Sequence, residues 1–463
     1  MIGMQDLFPD GTAVDKERLR QGLVGPILNV QGFGALADGS TDLSEAFDRA
    51  LSAASPGAVI YLPPGNYALR RPIAVHRTGV RLAMAGASID ATELAGMALE
   101  GVHHGYPVTP AFYITATGVD LVGGHLKTEH SSASVTAGIL FDGARSCSVN
   151  GVKVSGGFYA SIWPGGGTED LLIDSCIVEN AAQNIILGFM SPKGPQVTRV
   201  TVRDVTSSGS GENGLLAHGH VHDLQIIGGF YRRNKKDGID LFTCAQDVTI
   251  QGVHCVDNGV KGLDFKYEKG FTGEVGKGLG FVGRVTISNC HLHDNGHAGC
   301  SVCISSTDDY PEIGISHFIV NANQAHRNGD HGFYFVLREG IVSNNIANLN
   351  GDRGFNFLSC RDVIVSANQA IDNCQAQTKS AEAFGFNFES NGKNAPPNRR
   401  LAILGNIARR TDQATGSQGE GFELHFRRIV DSSFVGNISS GHRRNVVIVG
   451  ELENVMLSGN IGI

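Results

Sequence analysis

Two short phrases near the middle of the chain, Gly238-Ile239-Asp240-Leu241 and Gly262-Leu263-Asp264-Phe265, set a carboxylate at the same place, and Lys266 follows the second by two residues. If the phrases stack as neighbouring β-strands, Asp240 and Asp264 stand about 4.8 Å apart on one outward face of a sheet. Two like charges that close do not both ionise cheaply, so one carboxyl should be raised in pKa unless Lys266 or an ion compensates. A pair split in this way can work as general acid and as base or nucleophile. His218 falls one repeat earlier, in the row that holds Lys266, and could serve as a base. Catalytic roles are therefore expected of Asp240, Asp264, Lys266 and His218, on a face open to solvent. The plain alternative is a solvated salt-bridge ladder without chemistry.

Further residues on the same outward rows are candidates for contact with a bound molecule: Tyr267, Tyr334, Glu389, Glu423 and His425. Ring stacking would fall to Trp163, the only tryptophan, and to Tyr231, Tyr267, Tyr310 and Tyr334. The alternating His218, His220 and His222, and the group His291, His293 and His297, read as solvent-facing turn residues rather than metal ligands. Cys300 and Cys303 are three apart, so in a strand they point to opposite faces and cannot close on one ion. No metal is expected, although the carboxylates could hold Ca²⁺.

What positions these residues is a repeat. The Gly-apolar-x-apolar phrase recurs from residue 138 onward, as in Gly214-Leu215-Leu216-Ala217, Gly332-Phe333-Tyr334-Phe335, Gly354-Phe355-Asn356-Phe357 and Gly385-Phe386-Asn387-Phe388. A second short strand recurs between the phrases, as in Val248-Thr249-Ile250 and Val363-Ile364-Val365. Glycine-to-glycine spacings of 24 (214 to 238), 24 (238 to 262) and 22 (332 to 354) mark a β-solenoid, in which each coil stacks on the next. Alternation then sends Phe333, Phe335, Phe355, Phe357, Phe386, Phe388 and Phe422 inward as a ladder. Of 29 asparagines, 24 follow residue 200, which suits turns and amide ladders between coils. Inserts at 268–282, 304–316 and 390–398 should project as loops, the first walling a groove over the Asp/Lys group.

Composition agrees. Glycine is 62 of 463 residues without a collagen period, and 18% charged residues is too few for a disordered chain. The net charge of −8 leaves no basic footprint for nucleic acid or an anionic membrane, and no apolar run is long enough to span one. Nine scattered cysteines do not form a disulfide framework.

Toward the start, residues 41–54 have the apolar spacing of a helix, with Thr41 or Asp42 as cap and Glu45 completing a capping box. A strand over 58–62 follows. The phrases Phe33-Gly34-Ala35-Leu36-Ala37-Asp38-Gly39-Ser40-Thr41-Asp42 and Val59-Ile60-Tyr61-Leu62-Pro63-Pro64-Gly65-Asn66-Tyr67 resemble the amino-terminal signature of the pectate-lyase-like superfamily. That resemblance implies an all-β, single-stranded right-handed parallel β-helix with a short N-terminal capping helix. It spans an extension at 1–27, a cap with first coils at 28–100 and the main solenoid at 101–463. Gly238-Ile239-Asp240-Leu241-Phe242 is also similar to the catalytic coils of alginate C5-epimerases. That family carries Asp-Pro-His where this chain has Asp240-Leu241-Phe242, so only Asp240 carries over, and the second catalytic Asp falls on Lys266.

The superfamily hosts lyases, hydrolases, epimerases and glycan-binding tailspikes. The expectation is an enzyme on an acidic polysaccharide, first a lyase cleaving a uronate glycan by β-elimination. A glycoside hydrolase using the Asp pair, a C5-epimerase and a non-catalytic spike are the alternatives. A monomer or homotrimer, extracellular or periplasmic although the start lacks a signal peptide, completes the expectation.

Overall fold

The computed structural model describes residues 25–94, 108–129, 136–188, 195–242, 245–267, 282–304, 315–376, 384–389, 396–411, 420–442 and 444–462, with 267, 304, 420, 423–428, 449 and 450 described for backbone alone. Short parallel strands wind through three faces in turn. One coil takes His254–Val256 on the third sheet, Leu263–Tyr267 on the first and Val282–Ser288 on the second, and His291–His293 opens the next coil. Every pairing is parallel and joins a strand to its equivalent one coil away. The third sheet stays separate with 15 strands, whereas the long strands Glu420–Val435 and Val446–Ser458 run through the first and second together. This is the β-solenoid that the repeat marks and the right-handed parallel β-helix that the resemblance implies.

The glycine that opens each phrase has ordinary backbone angles; close approach explains it. A Cβ on Gly238 would lie 2.7 Å from the Gly262 carbonyl oxygen, and one on Gly332 2.7 Å from that of Gly354. The apolar residues that follow point inward as expected. Phe333, Phe355, Phe386 and Phe422 stack at 4.8–4.9 Å, and Phe335, Phe357 and Phe388 form a second column. All seven are buried in one continuous core, where truncation of one ring to alanine typically costs about 3–5 kcal/mol.

Two buried amide ladders bind the corners. Asn234, Asn258, Asn295, Asn328, Asn350 and Asn373 each donate through Nδ2 to Oδ1 of the next, at 2.8–2.9 Å. Asn323, Asn345, Asn368, Asn406, Asn437 and Asn460 do the same at 2.9–3.2 Å. Each ladder satisfies polar groups that burial would otherwise leave stranded.

The capping helix is shorter than its apolar spacing suggested, spanning Ser44–Ala53. Asp42 Oδ1 accepts from the Ser44 amide and hydroxyl at 3.2 and 2.7 Å, while Glu45 pairs with Arg49 at 2.6 Å instead of reaching back as a box. A coil that the glycine pattern passed over also exists, at Ala160–Pro164, paired with Thr136–Phe141. It lacks the opening glycine. The eight described cysteines carry free thiols, and no described helix is long and apolar enough to cross a membrane.

Candidate active site

Asp240 and Asp264 are register partners on adjacent strands of the first sheet, and Leu241 and Phe265 beside them point into the core. The carboxylates therefore face out of the barrel. They are nevertheless buried, Asp240 at 5% exposure and Asp264 at 0%, which corrects the expectation of an open face. The cover is partly electrostatic, because two lysines lie over them. Lys266 Nζ sits 2.7 Å from Asp264, 3.1 Å from Asp240 and 3.2 Å from Asp237. Lys261 Nζ contacts both oxygens of Asp264 at 2.9 and 3.0 Å.

Three carboxylates against two ammonium groups leave one negative charge in excess inside a poorly hydrated patch. Burial pushes the Asp240 carboxyl up to about 7, against the pull of Lys266, with Asp264 and Asp237 adding to the rise. Burial also raises Asp237. For Lys266, burial alone would favour loss of the proton, but the three carboxylates outweigh it and hold the ammonium far above the ordinary lysine range. Lys261 is raised in the same way, chiefly by Asp264. Lys266 is thus a resident cation, the compensating charge that the carboxylate pair calls for.

The turn before the strand supplies what the repeat phrase missed. Asp237 and Lys261 each occupy the position just ahead of the opening glycine, and Asn213 holds it one coil earlier. Asn213 Nδ2 donates to Asp240 Oδ2 at 3.4 Å, and its Oδ1 accepts from the Asp237 amide at 3.1 Å. Reading that column down the coils would have found all three. The other Asp240 oxygen, Oδ1, is buried with no hydrogen-bond partner among the described residues.

His218 takes its expected row, but Phe242 stands between it and Lys266 in the register and stacks on the imidazole at 4.8 Å. His218 and His220 are buried, not solvent-facing. Two ring-stacking candidates are corrected. Tyr231 is inside the barrel at the centre of a third-sheet strand, and Trp163 lies in a second apolar cluster with Leu140, Ala160 and Ile186. Trp163 donates from Nε1 to the Gly188 carbonyl at 3.1 Å. The backbones at Tyr267, Glu423 and His425 follow their strands, and the side chains lie outside the described residues, as do Tyr310 and the greater part of the three inserts.

Tyr334 and Glu389 belong to a second polar group on the same sheet. Tyr334 stacks on His331 at 5.5 Å, and His331 Nδ1 lies 3.6 Å from Asp352 and 3.8 Å from Asp330. Asn387 bridges Asn356 and Glu389 at 2.8 and 3.3 Å, with Arg353 3.8 Å from Glu389. Among the described residues, Asp237/Asp240/Asp264 and Asp330/His331/Asp352 are groups whose ligand-type atoms fall within 4.8 Å of one another. In the first, the Lys266 ammonium already takes the place a cation would fill.

A single chain wound into stacked parallel coils, with a charged outer patch and an amino-terminal helix, defines a pectate-lyase-like β-helix protein. The chain belongs to the family described as rhamnogalacturonase A/epimerase, pectate lyase-like, which it matches over residues 27–264. It is 25% identical over 238 residues to a probable rhamnogalacturonase A of Aspergillus oryzae, covering 49% of this chain and 42% of that protein. It is 51% identical over 41 residues to rhamnogalacturonase A of Aspergillus niger, 9% of each chain. These matches take in less than half the length of either relative. Among solved structures, the A-module of the Azotobacter vinelandii mannuronan C-5 epimerase AlgE4 superposes with a TM-score of 0.51 at 17% identity, covering 92% of this chain and 99% of that one. At that identity the likeness concerns the fold.

Proposed function

We propose that this chain is a glycoside hydrolase acting on a polysaccharide, with Asp240 as general acid and Asp264 as its carboxylate partner. One observation carries the reading: a buried carboxyl that takes up its proton near neutral pH stands one rung from a carboxylate clamped by two ammonium groups. Environments that differ in this way are how two carboxyl groups are assigned opposite duties. Lys261 and Lys266 have side chains 20% and 25% exposed, so they form the entrance. An acidic sugar would draw them outward and uncover the carboxyls beneath. The relatives named rhamnogalacturonase support a polysaccharide substrate.

β-Elimination would need an unprotonated base, a duty that suits Lys266 poorly while it carries its proton. The two carboxyls come within 4.8 Å at their nearest oxygens, and the anomer released tells whether Asp264 acts as nucleophile or through a water. The test incubates the full chain with a panel of acidic and neutral polysaccharides and follows new reducing ends, ultraviolet absorbance of an unsaturated sugar, and product anomer by NMR. New reducing ends without that absorbance are expected. Unsaturated product would transfer the chain to the lyases, and tight binding without cleavage would make it a glycan-binding protein.

A further inference from the structure

Three carboxyl groups and two ammonium groups share the Asp/Lys patch, and their contacts are not equivalent. Asp264 accepts from Lys261 Nζ through both oxygens, at 2.9 and 3.0 Å, and from Lys266 Nζ at 2.7 Å. Asp237 Oδ1 accepts from the Lys261 backbone amide at 2.9 Å, and its Oδ2 from Lys266 Nζ at 3.2 Å. Asp240 differs. Its Oδ2 accepts from Lys266 Nζ at 3.1 Å and from Asn213 Nδ2 at 3.4 Å, while Oδ1 is buried and accepts from no described group. Burial raises both Asp237 and Asp240, but donors on both oxygens of Asp237 oppose the rise. The bare oxygen of Asp240 is where a proton meets no competing hydrogen.

The turn before the strand fixes Asp237 for this part. Its amide donates to Asn213 Oδ1 at 3.1 Å, and its side chain is 3% exposed. It competes with Asp240 for one ammonium, since Lys266 Nζ lies at nearly the same distance from both. The remaining described groups around the patch do not offset that competition. Cys303, the register partner of Lys266, is a thiol that burial keeps protonated. Leu216 and Ser301 flank the Asp pair in its row, Glu212 pairs with Lys236 at 3.1 Å, and Phe242 screens His218.

We infer that Asp237 is the positioning residue of the acid: it stays charged and, by sharing Lys266, leaves the proton of the cluster on Asp240 Oδ1. The seat of the proton stands on the contacts, whereas its use in cleavage rests on the hydrolase reading. The test follows the aspartate carboxyl carbons of the full, isotope-labelled wild-type chain by NMR, which needs no variant to fold. Asp240 should take up its proton as pH falls through about 7, with Asp237 still ionised over that step. In Asp237→Asn two carboxylates face two ammonium groups, so the Asp240 midpoint should fall by about one unit or more. Asp237→Glu, which keeps the charge, should bring it back. The alkaline limb of kcat/KM for glycan cleavage should move down with the midpoint in Asp237→Asn, with the acid plateau retained. A midpoint or limb that does not move, or a proton taken up by Asp237 in place of Asp240, would overturn the inference. A shifted midpoint in a chain that cleaves no glycan would uphold it and remove the hydrolase reading instead.

Discussion

The outward row of the first sheet runs through two stretches built on one backbone. At Leu140, Trp163 and Ile186 it is apolar and forms a second buried cluster outside the barrel. Two rungs beyond Ile186 the same column holds Asp240 and then Asp264, equally removed from water but charged. Strand position alone therefore decides direction and leaves role to the side chain. In the first stretch the hydrophobic effect makes burial favourable by itself. In the second, burial opposes the charge, and the site exists because Lys261 and Lys266 hold ammonium groups against the carboxylates.

That contrast can be broken or sharpened by measurement. Asp264→Asn and Asp240→Asn should each lower glycan cleavage by about 10²–10⁴-fold, with circular dichroism still that of a folded solenoid; unchanged rates would dismiss the patch as the seat of catalysis. Trp163→Ala should cost about 3–5 kcal/mol in denaturant unfolding and leave kcat per folded molecule intact. A matching loss of turnover would erase the distinction between the stretches.

The third measurement uses pH. Asp240 has a folded-state value near 7, raised above the ordinary 3.8. The stability it contributes is present at low pH and is lost as pH rises through 7. Asp240→Asn removes the titration, so its stability relative to wild type should improve by about 2 kcal/mol between pH 5 and pH 8. A flat difference in melting temperature would mean that Lys266 keeps Asp240 ionised throughout. The smallest effect is expected at the boundary. Leu216 is the register partner of Asp240 on the apolar side, and Leu216→Asp should raise the Asp240 midpoint by about one unit through like-charge repulsion, whereas Leu216→Asn should barely move it. NMR titration of the carboxyl reads both.

The repeat phrase made much of this legible. Glycine spacing alone predicts that residues 240 and 264 meet, because each glycine is required by a carbonyl less than 3 Å from where a Cβ would sit. It also predicts the phenylalanine columns. The coil at Ala160–Pro164 escaped because Ser161 stands where the phrase would open with glycine, and the expectation of Trp163 as a stacking residue follows from that. Asp237 and Lys261 escaped for a different reason. They precede the glycine, in the turn, where alternation does not say which way a side chain points. Burial of the Asp pair is a property of neighbouring coils and their lysines, which no single phrase contains.

The two asparagine columns share a direction: every amide-to-amide bond runs from Nδ2 to Oδ1 of the next higher-numbered coil, while the second Nδ2 hydrogen of Asn258 and Asn295 goes back to a backbone carbonyl. Their amide dipoles add head to tail and polarise one another. The solenoid is consequently electrically lopsided along its length, in the manner of a row of compass needles. Flipping one amide would set carbonyl against carbonyl on one side and amine against amine on the other, so an orientation chosen at any coil is imposed on all those stacked after it.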